Sequence, residues 1–97
     1  MSEEKITRMV VVANPQGLHA RPADMIVKTA ARFASKIELV KGTERVDGKS
    51  ILAILTLAAV AGTRLSIEAE GPDAAAALDA LDELFGRQFS EGRSQAE

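Results

Sequence analysis

The 97-residue chain contains no cysteine, tryptophan or tyrosine, and it has a single histidine. Without cysteine it can form neither disulfide bonds nor thiolate metal sites, which is consistent with a reducing compartment. Three phenylalanines are the only aromatic residues, so the core must be largely aliphatic and a sheet that stacks nucleic-acid bases is not expected. The sequence also lacks an apolar run of about 20 residues, so we expect no membrane insertion.

The charges are nearly balanced, with 12 basic and 14 acidic residues and a formal net charge of −2. This balance argues against nucleic acid as a partner, because non-specific binding depends on cationic side chains that neutralise phosphates. Glu3 and Glu4 stand where a secretory signal would carry cations, so we expect a cytoplasmic protein. The length suits one domain; we assign it to residues 1–89, with a frayed tail over residues 90–97, and expect a monomer.

Hydrophobic periodicity predicts seven elements in the order β-α-β-β-α-β-α. The predicted strands cover residues 5–13 and 63–71 and a hairpin over residues 36–47, and the predicted helices cover residues 20–33, 51 to about 62, and 74 onwards. Ser50 and Asp73 are the expected N-caps of the second and third helices, and Ala58 is expected on the buried face of the second. The predicted fold class is α+β, an open-faced two-layer sandwich in which three helices cover one face of a four-stranded antiparallel sheet.

The single histidine lies in the stretch NPQGLHARPAD, residues 14–24, where the first strand gives way to the first helix. The amide N–H groups of a first helical turn lack acceptors within the helix and carry a partial positive charge, so they favour anions. Arg21 adds a guanidinium that can bind two phosphate oxygens, Pro22 fits the first turn, and Gly17 lets the loop approach closely. This environment favours a neutral, nucleophilic His19 that could take up a phosphoryl group. In the competing interpretation, His19 is merely a helix cap or a surface residue.

The segment GLHARPA, residues 17–23, resembles the active-site signature of HPr, the histidine-containing phosphocarrier family of the bacterial phosphoenolpyruvate-dependent sugar phosphotransferase system. The segment VDGKSILAILTLA, residues 46–58, is similar to the second signature of that family. The resemblance extends from about residue 5 to residue 89, and the predicted order of elements agrees with the open-faced sandwich of the family.

The resemblance implies a phosphocarrier without turnover of its own, and therefore not an enzyme, that needs no cofactor or metal. His19 would accept the phosphoryl group from phosphorylated enzyme I, through its Nδ1 nitrogen, and pass it to the A domain of a sugar-specific enzyme II. The residues implied to hold the phosphate are Gln16, Gly17, Ala20 and Arg21.

Ser50 has two compatible interpretations. It is expected to cap the second helix, and in part of the family the matching serine is phosphorylated by an HPr kinase/phosphorylase, which lowers transfer through the histidine. The resemblance also implies that a partner-docking surface lies beside the phosphate site. Its candidate residues are Ala20, Asp24, Ile51, Leu52 and Leu55.

Two residues depart from the family pattern. Gln16 stands where a shorter Ser, Thr or Asn is common, and Asp24 places an acid in the predicted first turn of the helix, close to acidic partners. One alternative is therefore a paralogous carrier in a nitrogen-related or regulatory phosphorelay. A second, from another class, is an α+β module that binds a ligand or nucleic acid and in which His19 is structural.

Overall fold

Seven elements of secondary structure follow one another over residues 5–90, the residues that the computed structural model describes. The strands are β1 (Lys5–Val11), β2 (Lys36–Lys41), β3 (Glu44–Asp47) and β4 (Arg64–Glu70), and the helices are α1 (Ala20–Ala30), α2 (Ile51–Thr56) and α3 (Ala74–Gly86). The predicted order of elements is confirmed. The proposed frayed tail, residues 90–97, lies outside the described residues apart from Ser90.

The four strands form one sheet in the order β1-β4-β2-β3, and every neighbouring pair is antiparallel. The helix α1 packs against both α2 and α3, and α3 also contacts β1 and β4. This arrangement is the predicted open-faced α+β sandwich. Its interior strand β4 joins the first strand of the chain to the central hairpin, so the two halves of the sequence meet in one sheet.

The strand β4 shows why the sheet has one buried face and one open face. Successive side chains of a strand point to opposite faces; Leu65, Ile67 and Ala69 are fully buried, as predicted. On the open face, Arg45 lies between the carboxylates of Glu38 and Glu68, at 2.8 and 2.6 Å. The helical side of the sheet therefore forms the core, and the other side carries charged side chains.

The core is aliphatic except for Phe85 and Phe89, whose rings meet edge to face with their centroids 4.8 Å apart. The apolar stripe predicted for α3 is buried as expected: Ala74, Leu78, Leu81, Leu84 and Phe85. Within residues 5–90, no helix is both long and apolar enough to span a membrane.

Three of the predicted elements end earlier than expected, because periodicity locates an element better than its end. Thus β1 stops at Val11, α1 stops at Ala30, and α2 stops at Thr56 rather than near residue 62. The prediction for Ala58 was wrong: its φ is +51°, and it is exposed rather than placed on a buried helical face. The left-handed conformation at Ala58 turns the chain out of α2 into the loop that leads to β4.

Replacing Ala58 with glycine is expected to stabilise the protein by up to about 1 kcal/mol. Alanine has a steric penalty in the left-handed conformation that glycine lacks, and the greater freedom of glycine in the unfolded chain offsets part of the gain. Urea unfolding monitored by circular dichroism would measure the change. The matched control is Ala61→Gly in the same exposed loop, where φ is not positive; a similar gain there would contradict the explanation.

Asp73 precedes α3, but the expectation that its side chain caps this helix was wrong. Its carboxylate instead accepts hydrogen bonds from the backbone N–H of Ala34 and Ser35, each at 2.9 Å, and from the Ser35 hydroxyl at 2.6 Å. The side chain therefore joins the start of α3 to the turn before β2. These hydrogen bonds, led by that of the Ser35 hydroxyl, lower the pKa of Asp73.

Because the pKa of Asp73 is lower in the folded protein than in the unfolded chain, its ionised form favours folding. This contribution is present above the ordinary aspartate pKa of about 3.9 and is lost as the pH falls towards the folded-state value. We expect Asp73→Asn to lower the urea midpoint at pH 7, and the difference from the wild-type midpoint to shrink by pH 3. A control is Glu83→Gln, whose carboxylate forms an exposed pair with Arg87. An equal pH effect in both variants would contradict the prediction.

Candidate functional site

His19 occupies the residue immediately before α1, with an extended backbone at φ −83° and ψ −166°. Its carbonyl oxygen accepts the first helical hydrogen bond from the N–H of Ala23 at 3.0 Å, whereas its side chain makes no capping hydrogen bond. The amides of Ala20 and Arg21 have no acceptor within the helix, and Pro22 has no N–H. The half-buried imidazole of His19 thus stands at the positive end of α1 without serving as a side-chain cap.

A short turn before His19 holds the histidine in place. The side-chain amide of Asn14 donates to the carbonyl of Gly17 at 2.6 Å, and the Gly17 N–H donates back to the Asn14 carbonyl at 3.0 Å. The N–H of Leu18 donates to the carbonyl of Ala59 at 2.9 Å, and the Leu18 side chain is buried. The turn is therefore fixed both internally and against the loop that follows α2.

Gly17 is required in this turn for two reasons. Its φ is +70°, in the region that favours glycine. A Cβ at this residue would also collide with the Ala59 carbonyl oxygen and would lie 3.0 Å from the Cα of Val60. Gly17 was predicted to allow a close approach of its loop. In the structure, that close approach is to the loop that follows α2.

The guanidinium of Arg21 is held beside the site by a group from α1 and by one from the segment that follows α3. Its Nη1 atom donates to the backbone carbonyl of Phe89, beyond α3, at 3.0 Å, and lies 3.4 Å from the sulfur of Met25 in α1. A bound guanidinium needs less reordering to meet a phosphate than a freely rotating one. The contact with Phe89 could not be predicted from the sequence, because it joins residues that are 68 positions apart in the chain.

An open depression of about 320 Å³ lies in front of His19. It is lined by Asn14, Pro15, Gln16, His19, Arg21 and Gln88. The structure thus brings together three of the predicted site residues, Gln16, His19 and Arg21. Gly17 is buried in the turn beside the depression, and Ala20 is exposed at the first position of α1.

Three of the lining residues, Asn14, Pro15 and Gln88, were missed as site residues by sequence analysis. Asn14 is 7% exposed, and among the described residues its buried Oδ1 has no hydrogen-bond partner. An asparagine before a proline indicates a turn. Asn14 was therefore interpreted only as a turn residue, and its buried polar side chain near His19 was not expected. Gln88 gives no signal of its own, since it follows the last helix.

The residues proposed for docking lie on α1 and α2, which pack against each other. Leu52 is 73% exposed, whereas Ile51 and Leu55 are half-buried and pack against the core. Val60, in the loop that contacts Gly17, is 67% exposed and was not predicted. Periodicity could not find it, because it lies outside any helix or strand.

The expectation that Asp24 lies in the first turn of α1 was wrong. The helix starts at Ala20 and has no acidic residue in its first turn. Asp24 follows in the second turn, where its carboxylate pairs with Lys28 at 3.1 Å. Its charge is therefore partly compensated on the same helix, and it is further from the amides of the first turn than the sequence suggested.

Ser50 caps α2, as predicted. Its hydroxyl oxygen accepts a hydrogen bond from the N–H of Ala53 at 3.2 Å, and its carbonyl accepts one from Ile54 at 3.1 Å. The side chain is half-buried. Ser50 does not line the depression in front of His19, so it is not part of the predicted phosphate site.

The chemistry available at the depression is that of one histidine, one guanidinium and the amides of a helix start. Within residues 5–90, no group of three or more His, Asp or Glu side chains could hold a metal ion. An imidazole beside a guanidinium and the first amides of a helix is suited to accepting and holding a phosphoryl group. Fold and site together define a small carrier of phosphoryl groups.

Comparison with known proteins identifies the family. A family model described as "PTS HPr component phosphorylation site" matches residues 6–87. The "Phosphocarrier protein HPr" of Treponema pallidum is 48% identical over 86 residues, which cover 89% of this chain and 98% of that protein. The chain therefore belongs to the HPr family, the phosphocarriers of the phosphotransferase system, and it is a carrier protein rather than an enzyme.

A solved structure and a larger protein extend the comparison. HPr-C-His from Thermoanaerobacter tengcongensis has a TM-score of 0.82 and 37% identity and covers 93% of this chain and 99% of its own. The phosphoryl donor subunit DhaM of a PEP-dependent dihydroxyacetone kinase from Providencia stuartii is 36% identical over 90 residues, which are 93% of this chain but 19% of DhaM. The fold predicted from the resemblance is confirmed, and the interpretation as a nucleic-acid-binding module is not supported.

Proposed function

We propose that His19 is the phosphoryl acceptor, that phosphorylated enzyme I is the donor, and that the A domain of a sugar-specific enzyme II is the recipient. The observation that carries this assignment is the position of the His19 imidazole, at the start of α1 and in one depression with Arg21. We assign the whole of residues 1–89 to this one carrier domain and expect it to act as a monomer in the cytoplasm.

The proposed transfer needs a nucleophile and a charge-stabilising site, and His19 and its neighbours supply both. A ring nitrogen of neutral His19 shares its lone pair with phosphorus while the bond from phosphorus to the donor breaks, and the donor keeps that electron pair. The phosphoryl oxygens then lie against Arg21 and the amides of the first turn, with Gln16 within the same depression. Reversal of the same step delivers the group to the next protein.

The proposed docking surface consists of Ala20, Ile51, Leu52, Leu55 and Val60, with Asp24 and Lys28 at its side. Its exposed members, led by Leu52 and Val60, suit transient association through apolar contact. The paired charges of Asp24 and Lys28 add little net attraction for an acidic partner. The DhaM match supports phosphotransferase partners in general, since that protein includes a similar segment as part of a phosphoryl donor.

The test is incubation with phosphoenolpyruvate, Mg²⁺ and enzyme I, followed by intact-mass measurement before and after mild acid. We expect the mass to increase by one phosphate in the wild-type protein, with loss of that phosphate in acid, and no phosphate in His19→Ala. A nitrogen-branch enzyme I is the parallel donor, and phosphorylation by that donor alone would place the protein in the paralogous relay. Failure with both donors, in a protein shown to be folded, would contradict the assignment of His19.

We further propose that an HPr kinase/phosphorylase modifies Ser50. Ser50→Ala is expected to lose about 1 kcal/mol of stability, because the cap on α2 is removed, and to keep phosphoryl transfer. Ser50→Asp retains a capping oxygen but adds negative charge beside Leu52, so we expect several-fold slower transfer at nearly unchanged stability. Equal transfer rates in the two variants would contradict a regulatory role. Single-turnover kinetics and thermal unfolding measure the two effects separately.

A further inference from the structure

The chain ends α3 with a tight reversal that brings backbone to the phosphate site. The N–H of Gln88 donates to the carbonyl of Phe85 and the N–H of Phe89 donates to the carbonyl of Leu84, each at 3.0 Å. These two hydrogen bonds define a Schellman motif, with Arg87 as the C-cap. We call residues 87–89 the C-terminal hook.

The hook is unusual because it contains no glycine. Gln88 and Phe89 have φ values of +56° and +61°, in a region that is unfavourable for residues with a Cβ. Strained backbone of this kind persists only where the surrounding structure imposes it, and it is concentrated at functional sites. Here the constraint is the Phe89 ring, which is 1% exposed and packs on Phe85.

The conformation of the hook places the carbonyl group of Phe89 beside Arg21. With the Phe89 ring buried, the Phe89 carbonyl oxygen accepts a hydrogen bond from Nη1 of Arg21 at 3.0 Å, while Gln88 lines the depression in front of His19. The burial of an aromatic ring in the core is thereby linked to the orientation of the guanidinium at the phosphate site.

We infer that Phe89 is a positioning residue for phosphoryl transfer, which acts by holding the C-terminal hook so that its carbonyl orients Arg21. This inference rests on the proposed function, because it assigns to Arg21 the role of holding the phosphoryl oxygens. The hook thus favours the phosphorylated form of the carrier by presenting Arg21 in the required place before the phosphate arrives.

The test is a double-mutant cycle on the equilibrium of phosphorylation. Each variant is equilibrated with enzyme I at a fixed ratio of phosphoenolpyruvate to pyruvate, and the phosphorylated fraction is measured by intact mass. Because enzyme I only catalyses this equilibrium, docking affinity does not alter the constant. We expect Phe89→Ala to lower the equilibrium constant by about threefold to tenfold, the value of one hydrogen bond. In the Arg21→Ala background we expect Phe89→Ala to change it less than twofold.

Two further variants separate positioning from stability. Leu81→Ala removes a fully buried side chain from α3, the helix before the hook, and is expected to lower the melting temperature without changing the equilibrium constant. Phe89→Leu retains a buried anchor and is expected to recover most of the wild-type constant. If circular dichroism shows that Phe89→Ala is unfolded at the assay temperature, Phe89→Val replaces it in the double-mutant cycle.

The outcomes distinguish this inference from the proposed function. If Phe89→Ala lowers the constant equally in both backgrounds, or leaves it unchanged in a folded protein with wild-type Arg21, Phe89 does not act through Arg21 and the inference is wrong. If the wild-type protein takes up no phosphate from either enzyme I, it is the proposed function that fails.

Discussion

Replacing Arg21 with alanine is expected to slow phosphoryl transfer to His19 by about 100-fold. The loss of one pre-oriented hydrogen-bond donor from a transition-state site typically costs a factor of about 10² to 10³. The guanidinium of Arg21 is pre-oriented by the Phe89 carbonyl, so its loss removes organised charge and not merely a mobile cation. Because the side chain is exposed, we expect stability to fall by no more than about 1 kcal/mol.

Single-turnover transfer from phosphorylated enzyme I measures this effect directly. Arg21→Lys is expected to be intermediate, because lysine keeps the charge but lacks the planar fork that can bind two oxygens. The matched control is Arg32→Ala. Arg32 follows α1 and lies 5.4 Å from the centroid of the Phe33 ring, away from the proposed site, and its loss is expected to leave the rate unchanged. A reduction below threefold in Arg21→Ala would contradict the role proposed for this residue.

Replacing Gly17 with alanine is expected to destabilise the protein by about 3 kcal/mol or more. The left-handed backbone at φ +70° accounts for part of the cost, and the collision of the new Cβ with the Ala59 carbonyl accounts for the rest. Neither neighbour can yield easily, since both the Ala59 oxygen and the Val60 Cα belong to the backbone. Relief of the collision would move Leu18 off Ala59, so we also expect slower phosphorylation of His19.

Gly42 provides a matched control for the two parts of this cost. Its φ is +59°, and a Cβ there would have no neighbour within 4 Å. Gly42→Ala is therefore expected to cost about 1–2 kcal/mol, the backbone part alone. The difference between the two variants in urea unfolding isolates the collision in the phosphate-site turn. Equal losses would mean that the contact between Gly17 and Ala59 contributes nothing measurable.

Features governed by neighbours in the sequence were predicted well. The alternation of β4, the capping of α2 by Ser50 and the placement of His19 at the start of α1 all depend on local patterns. The GLHARPA signature added the family and the phosphocarrier function, which the comparisons confirm. His19 and Arg21 could be predicted together as site residues because they are only two residues apart in the sequence.

Features that depend on distant partners were missed. Asp73 appeared to be a helix cap because its true partner, Ser35, lies in another turn. The hook at Gln88 and Phe89 has no glycine that would indicate a Schellman motif. Its contact with Arg21 could therefore not be predicted from the sequence. Long-range hydrogen bonds and left-handed residues other than glycine therefore account for the errors at Ala58 and Asp73 and for the unpredicted contact between the hook and Arg21.

The sheet order has a consequence for the synthesis of the protein. His19 leaves the ribosome early, but the turn that holds it is closed by Ala59, and β1 pairs with β4, which is made later still. Contacts between residues so far apart in the sequence cannot form until the second partner has emerged. A nascent chain, or a product of translation interrupted before β4, therefore displays the histidine without the arrangement that we propose holds the phosphate, and we expect such a chain not to compete for phosphoryl groups.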